Sequence, residues 1–136
     1  DGIRDAQESR GLGDVYKRQI ITYGMGVHWA LEVIKEMTEI SFDLIDLRTL
    51  IPLDKDMVFK SANKTGKIIV LHEDTMIGGF GSEISSLINE HCFENLDAPV
   101  VRCSSLDTPV PFSLNLEKEF LAKSRLKKQI INLYEY

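Results

Sequence analysis

Hydrophobic residues follow two patterns that alternate along most of the chain. Short apolar runs are typical of buried strands, and the segments between them place an apolar residue every three or four positions, as one face of a helix does. The runs predict strands at residues 20–23, 42–47, 67–72 and 99–103. Because strands that alternate with helices usually pair in parallel, the pattern favours an α/β domain with helices on both faces of a mostly parallel sheet.

Four segments show the helical pattern. In the second, Asp54 is suited to cap the first turn, because its carboxylate can accept hydrogen bonds from the free N–H groups there, and the helix should run to about Asn63. Pro52 breaks the chain before this helix, and Thr65 and Gly66 turn it afterwards. The predicted helices cover residues 27–37, 54–63, 80–91 and the end of 116–136, where the inward residues should be Leu126, Ile130 and Leu133.

The first nineteen residues show neither pattern. They hold four acidic and four basic residues and offer no apolar face for burial. Translated backwards, DGIRD and SRGLGDVYKRQ resemble the two ends of the adaptor DNA used to prepare sequencing libraries. We therefore expect residues 1–19 to be translated adaptor, disordered or loosely packed, and residues 20–136 to be the folded domain. A genuine disordered arm or a targeting peptide is the alternative, although a transit peptide would be poor in acidic residues.

Charge and hydropathy limit the classes of partner. The chain carries 16 Lys and Arg against 21 Asp and Glu, a net charge of −5, to which the first nineteen residues contribute nothing. An acidic domain is a poor partner for nucleic acid, so none is expected. The longest unbroken apolar run, 68–71, is far too short to span a bilayer, so no membrane is expected either. One soluble domain with one core is predicted.

Two glycine-containing turns raise the question of phosphate binding. The letters YGMG end the first predicted strand, and Asp46 follows about twenty residues later, as in a dinucleotide site. However, Trp29 replaces the third glycine of that motif, where helix and strand pack closely, so a plain turn is favoured. The second turn, at 78–82, precedes a helix whose first N–H groups could hold an anion. Its glycines and acidic first turn equally suit a helix start without a ligand.

Histidine and cysteine residues indicate no self-sufficient active site. His72 ends the most buried-looking strand, at the edge where α/β proteins gather their sites, but a packed and hydrogen-bonded histidine is an equally good interpretation. His28 and His91 have no second ligand at helical spacing, so no metal site is predicted. Cys92 and Cys103 form no CxxC pair and are expected to be buried thiols in a reducing compartment, with a disulfide as the alternative.

Four motifs, in order and at matching spacing, resemble one known family. IDLRTLIPLDKD, KTGKIIVLHEDTMIGGFGSEIS, CFENLDAPVVR and LDTPVPFSLNLEKEFL are together similar to the C-terminal, transketolase-like domain of the beta subunit of thiamine-diphosphate-dependent 2-oxo acid dehydrogenases. The resemblance covers essentially all of residues 20–136. His72, Glu73 and the following GGFG look like the branched-chain, 2-oxoisovalerate type, with the pyruvate and acetoin types as alternatives. The resemblance implies a five-stranded mixed sheet, mostly parallel, between two layers of helices.

The same resemblance implies a parent enzyme that decarboxylates a branched 2-oxo acid on thiamine diphosphate, held with Mg, and passes the acyl group to a lipoyl arm. In that family the cofactor-binding domains precede this segment, so no catalytic or cofactor-binding residue is assigned in this chain. The implied partners are an alpha subunit or fused alpha domain, a second beta chain and the subunit-binding domain of a dihydrolipoyl acyltransferase. The implied compartment is the cytoplasm, or the mitochondrial matrix in a eukaryote. A free-standing small α/β module that binds a phosphate ligand at the Gly24 and Gly78 turns remains the alternative.

Two groups of residues are expected to meet partner chains, with a plain structural role as the alternative for each. Arg48 is predicted to hold a carboxylate such as Glu73 across neighbouring strand ends. The subunit-interface candidates are Arg48, His72, Glu73, Gly78, Gly79, Phe80, Gly81 and Ser82. An acidic, aromatic chain end suits a basic partner, so the acyltransferase-docking candidates are Asp107, Tyr134, Glu135 and Tyr136.

Overall fold

The computed structural model describes residues 17–136, which form one sheet covered by helices. A short 3-10 turn, Phe93–Asn95, lies between the third helix and the fourth strand. The elements in chain order are β1 (Lys17–Thr22), α1 (Met25–Glu36), β2 (Ser41–Asp46), α2 (Lys55–Thr65), β3 (Ile68–Thr75), α3 (Gly81–Cys92), β4 (Val101–Ser105), α4 (Leu114–Phe120) and α5 (Lys123–Glu135).

The strands lie in the order β2, β1, β3, β4, and each neighbouring pair is parallel. The carboxyl ends of all four strands therefore lie along one edge of the sheet, here called the carboxyl edge, and the opposite edge is called the amino edge. The α/β class is confirmed. The predicted five-stranded mixed sheet is corrected to four parallel strands within the described residues, because the segment between β4 and α4 is irregular and adds no strand.

Strand side chains alternate between two apolar cores, one on each face of the sheet. Ile20 packs with α1 and α5 on one face, and its neighbour Ile21 packs with α2 and α3 on the other. The residues predicted to face inward from the last helix, Leu126, Ile130 and Leu133, are buried in the first core, which confirms that prediction. The prediction of one core is therefore corrected to two, because a parallel sheet buried on both faces needs an apolar layer on each.

The helix predicted at the end of the tail is α5, and a short helix that was not predicted, α4, precedes it. Leu121 between them is extended, with ψ 145°, and Ala122 is fully buried. The N–H of Ala122 donates to the hydroxyl of Ser105 at 3.2 Å, and its carbonyl accepts from the thiol of Cys103 at 3.5 Å. The helix therefore breaks because Ala122 is held against the end of β4.

Strand β1 begins three residues before the predicted boundary at residue 20. Lys17, Arg18 and Gln19 are buried and paired in register with β2, and the N–H of Gln19 donates to the carbonyl of Lys67 at 2.9 Å. The prediction of loose packing is therefore wrong for these three residues. They join the sheet through their backbone, and backbone pairing does not depend on which side chain a position carries. The same prediction for residues 1–16 lies outside the described residues.

The two cysteines are unpaired and buried, as predicted. Burial raises the pKa of both thiols, and that of Cys103 to about 12, so neither is a ready nucleophile. In the described part of the chain, no helix is both long enough and apolar enough to cross a membrane.

Candidate functional site at the carboxyl edge

His72 lies within β3, buried beneath the glycine loop that follows this strand. Its side chain is almost fully enclosed, and Nδ1 lies 3.1 Å from the carbonyl oxygen of Asp74. Since a carbonyl only accepts, Nδ1 carries the proton in this arrangement. Burial lowers the pKa of His72, and the nearby guanidinium of Arg102 lowers it further, while the carbonyl and carboxylate of Asp74 act in the opposite direction. The ring is therefore held neutral and serves to organise the loop.

The glycines of this loop are needed because they press against the His72 ring. A Cβ added to Gly81 would lie 2.5 Å from Nε2 of His72, and one added to Gly79 would lie 2.7 Å from Cε1 and would overlap the carbonyl of Thr75. Gly78 has open space around it but a φ of +83°, which strains any other residue. Close packing of the loop onto a buried histidine therefore explains the GGFG motif.

Arg102 supports the same loop from β4. Its Nη1 donates to the hydroxyl of Ser82 at 2.8 Å, which ties the first turn of α3 to the neighbouring strand. Sequence reasoning missed Arg102. The signal was present, since a charged residue inside a buried strand needs a polar partner.

The predicted contact between Arg48 and Glu73 is not formed. Nε of Arg48 lies 3.3 Å from the carboxylate of Asp46, two residues earlier, and the backbone N–H of Arg48 also donates to that carboxylate. The reason is the strand order, because β1 separates β2 from β3. Arg48 and Glu73 are both exposed at the carboxyl edge, but they leave strands that are not neighbours.

A crevice opens where the strand order reverses, between the ends of β1 and β3. It is lined by Tyr23, Gly24, Met25, Glu73 and Asp74, and its volume is about 340 Å³. Ligands of α/β proteins usually bind at such a point. Here two exposed carboxylates line it, and burial followed by the charge of Asp74 raises the pKa of Tyr23. The crevice is therefore a poor site for a phosphate.

The first glycine motif also has a packing role. A Cβ on Gly26 would overlap the hydroxyl of Thr22 and lie 3.4 Å from Leu71, so α1 could not approach the sheet as closely. Gly24 supplies a positive φ of 59° at the turn. Both observations fit the plain strand-to-helix turn that the sequence favoured. Residues 17–136 contain no group of three or more His, Cys, Asp or Glu arranged to hold a metal ion.

The docking candidates fall at opposite edges of the sheet. Asp107 accepts a hydrogen bond from the N–H of Ile77 at 2.9 Å, which places it at the carboxyl edge. Helix α5 starts beside the end of β4 and runs back to the amino edge, where Tyr136 lines a groove of about 810 Å³ together with Phe93 and Asp97. Asp107 and the chain end therefore cannot form one site.

Two of the four basic residues of the last helix pair with carboxylates of α1. Lys123 lies 2.7 Å from the carboxylate of Glu32, and Lys127 lies 3.0 Å from that of Glu36. These pairs draw two of the positive charges away from the chain end. At that end, the guanidinium of Arg18 lies over the ring of Tyr134, 5.1 Å from its centroid.

The fold and its strand-end loops define the class of this protein. It belongs to the family described as transketolase, C-terminal domain, which it matches over residues 16–125. Among curated relatives, it is 42% identical over 105 residues to a 2-oxoisovalerate dehydrogenase subunit beta of Bacillus subtilis, an overlap of 75% of this chain and 32% of that protein. It is 54% identical over 72 residues to the mitochondrial 2-oxoisovalerate dehydrogenase subunit beta 2 of Arabidopsis thaliana, covering 53% and 20% of the two chains.

Other relatives carry a different substrate in their names. A pyruvate dehydrogenase E1 component subunit beta of Rickettsia bellii is 39% identical over 101 residues, which is 73% of this chain and 31% of that protein. A solved structure described as a split gene transketolase, inactive beta4 tetramer, superposes with a TM-score of 0.72 at 25% identity, covering 88% of this chain and 39% of that one. The chain thus spans a third or less of the length of these curated relatives.

Proposed function

We propose that this chain is the assembly and partner-docking domain of the decarboxylating component of a 2-oxo acid dehydrogenase. The observation that carries the proposal is its similarity to dehydrogenase beta subunits, 42% identity over 75% of the chain in one case. The parent would release CO₂ from a 2-oxo acid and pass the acyl group to a lipoyl arm, in the cytoplasm or the mitochondrial matrix. The alpha partner would be a separate subunit or a fused domain.

The branched-chain type is the substrate class that we favour. The relatives named for 2-oxoisovalerate reach 42% and 54% identity, and the pyruvate relative reaches 39%. These differences are small, so the pyruvate type is kept as the second candidate. The described residues do not form a substrate pocket that would discriminate between the two acids, and the choice rests on similarity alone.

Thiamine diphosphate and its Mg would be bound by other parts of the parent. The crevice between β1 and β3 does not fit a diphosphate, because Glu73 and Asp74 would repel it. We assign no step of the reaction to this chain. The same repulsion opposes the alternative of a free-standing phosphate-binding module.

Docking of the acyltransferase is proposed at the amino edge, around the end of α5. The groove there combines an exposed Phe93 and Tyr136 with the carboxylates of Glu94 and Asp97. Aromatic anchors surrounded by acidic groups suit a small basic domain. Asp107 lies at the other edge and is therefore reassigned to the subunit interface.

A calorimetric titration tests this function. The 136-residue chain is titrated with the subunit-binding domain of a bacterial branched-chain dihydrolipoyl acyltransferase, and separately with pyrophosphate. We expect saturable binding of the protein domain that weakens as salt is added, and no heat with pyrophosphate. Saturable pyrophosphate binding without acyltransferase binding would instead establish the phosphate-binding module.

A further inference from the structure

The glycine loop, residues 76–81 between β3 and the first turn of α3, lies directly on a buried imidazole ring. His72 is only 1% exposed. A Cβ added to Gly79 or to Gly81 would come within 2.7 Å of its ring, so the loop and the ring are in direct contact. Any change in the ring must therefore be accommodated by the loop above it.

Only one nitrogen of this ring has a hydrogen-bond partner in the part of the chain that the structure describes. Nδ1 lies 3.1 Å from the carbonyl oxygen of Asp74, whereas Nε2 faces Gly81. A second proton would be carried by Nε2, because Nδ1 already holds the first. The imidazolium would then bury a charged N–H group without an acceptor, which is destabilising.

The groups packed around the ring also disfavour the second proton on balance. Burial has the largest effect and lowers the pKa of His72, and the guanidinium of Arg102 in β4 lowers it further. The carbonyl and carboxylate of Asp74 act in the opposite direction but do not reverse the shift. Tyr23, at the end of β1, presents a ring 6.2 Å away, and α3 presents the uncharged Gly81.

The loop can leave the sheet without exposing much of either core. Ile77 is 78% exposed, Gly78 is exposed with open space around it, and Phe80 is only partly buried. Two hydrogen bonds fasten the loop and the residue after it, from the N–H of Ile77 to Asp107 and from Arg102 to the hydroxyl of Ser82. Segments with so few buried apolar contacts open locally at a lower free energy than the whole domain.

We propose that the glycine loop is an acid-sensitive switch, in which protonation of His72 releases residues 76–81 from the sheet while both cores stay folded. The neutral ring supports the closed loop, and the imidazolium is better solvated when the loop is open. Because the pKa is lowered only in the closed state, the closed loop is fully favoured above the open-state value of about 6.5 and loses that advantage as the pH falls. The switch is a property of the fold and does not depend on the proposed function.

Hydrogen exchange measured by mass spectrometry tests the switch on the 136-residue chain, at about pH 7.5 and about pH 5.5, with labelling times scaled to the intrinsic exchange rate. The opening constant of peptides that cover residues 76–81 should rise by roughly tenfold over this interval, as expected for a histidine that titrates near pH 6.5 only when the loop is open. Peptides from β1 and α5 in the same samples are the internal control and should keep their protection.

Two variants assign the effect to the ring. His72→Asn stays neutral at both pH values, so the opening constant of the loop should no longer depend on pH. Arg102→Gln keeps a donor for Ser82 but removes the neighbouring positive charge, so the rise should become smaller. Urea unfolding at the higher pH checks that each variant is folded, and if His72→Asn does not fold, the parent chain and Arg102→Gln decide.

Three results would overturn the proposal. The opening constant of the loop in the parent chain could change by less than about twofold between the two pH values. Peptides from β1 and α5 could lose protection together with the loop, which would mean that acid unfolds the whole domain. A folded His72→Asn variant, or Arg102→Gln in its absence, could show the same rise as the parent chain.

Discussion

At the scale of single residues, His72 makes the stability of the fold depend on pH. Burial lowers its pKa in the folded state, so the unfolded chain binds the proton more readily. In the unfolded chain the pKa of this histidine is about 6.5. The contribution of the neutral ring to the free energy of unfolding is therefore fully present above that pH and is lost as the pH falls below it. His72→Asn should lose less stability between pH 8 and pH 5 than the parent chain, as measured by urea unfolding. An unchanged slope for His72→Asn would contradict this role.

The glycine loop gives a second prediction at this scale. Gly79→Ala should lower the free energy of unfolding by about 2–4 kcal/mol, because its Cβ would overlap the carbonyl of Thr75 and crowd His72. Gly78→Ala meets no neighbour and should cost only the backbone strain of about 1 kcal/mol. Urea unfolding of the two variants measures the difference. Equal losses would mean that the ring does not constrain the loop.

At the scale of elements, the start of β1 carries polar side chains in a buried strand. Gln19 is fully buried, and neither its Oε1 nor its Nε2 has a hydrogen-bond partner. An unsatisfied buried amide costs about 1–3 kcal/mol, so Gln19→Leu, of similar volume, should stabilise the chain by that amount. Gln19→Glu should destabilise it, because the position would then bury a charge. Thermal unfolding of both variants measures these changes. A loss of stability in Gln19→Leu would show that the side-chain amide of Gln19 has hydrogen-bond partners.

The end of α5 gives a prediction about docking. Deletion of 134–136 should weaken acyltransferase binding by about 1–3 kcal/mol, the cost of losing an aromatic anchor. Leu133 and the core residues before it remain in place, so the truncated chain should unfold in a single transition at nearly the same temperature. Calorimetric titration measures the binding. Unchanged affinity in a folded truncated chain would make the two terminal tyrosines a structural cap only.

Local features of the elements could be predicted from the sequence, but contacts between elements could not. The apolar run of β3 and the glycines after it indicated a strand and a close turn, because both depend on neighbouring residues alone. The partner of Arg48 depends on β1 lying between β2 and β3, which no local pattern reveals. Likewise, the break at Leu121 has no Gly or Pro signal and arises because Ser105 and Cys103 hold Ala122. The separation of Asp107 from Tyr136 follows from the direction of α5, which is also a tertiary feature.

At the scale of the whole molecule, the two edges of the sheet have different proposed partners. The carboxyl edge carries exposed apolar side chains on the loops that follow the strands, and the amino edge is acidic and aromatic where the chain ends. Neither edge holds a catalytic group that we can assign. The domain would therefore contribute to the parent enzyme by holding other chains in place.

The most direct test of this account is a chimeric enzyme. Residues 20–136 replace the matching segment of the Bacillus subtilis 2-oxoisovalerate dehydrogenase subunit beta, which then supplies the start of β1. The chimera is reconstituted with its alpha subunit and acyltransferase, and acyl transfer to the lipoyl arm is measured beside decarboxylation with an artificial electron acceptor. We predict that both activities are retained, and that deletion of 134–136 reduces acyl transfer alone. A chimera that folds but neither assembles with the alpha subunit nor binds the acyltransferase would contradict the account.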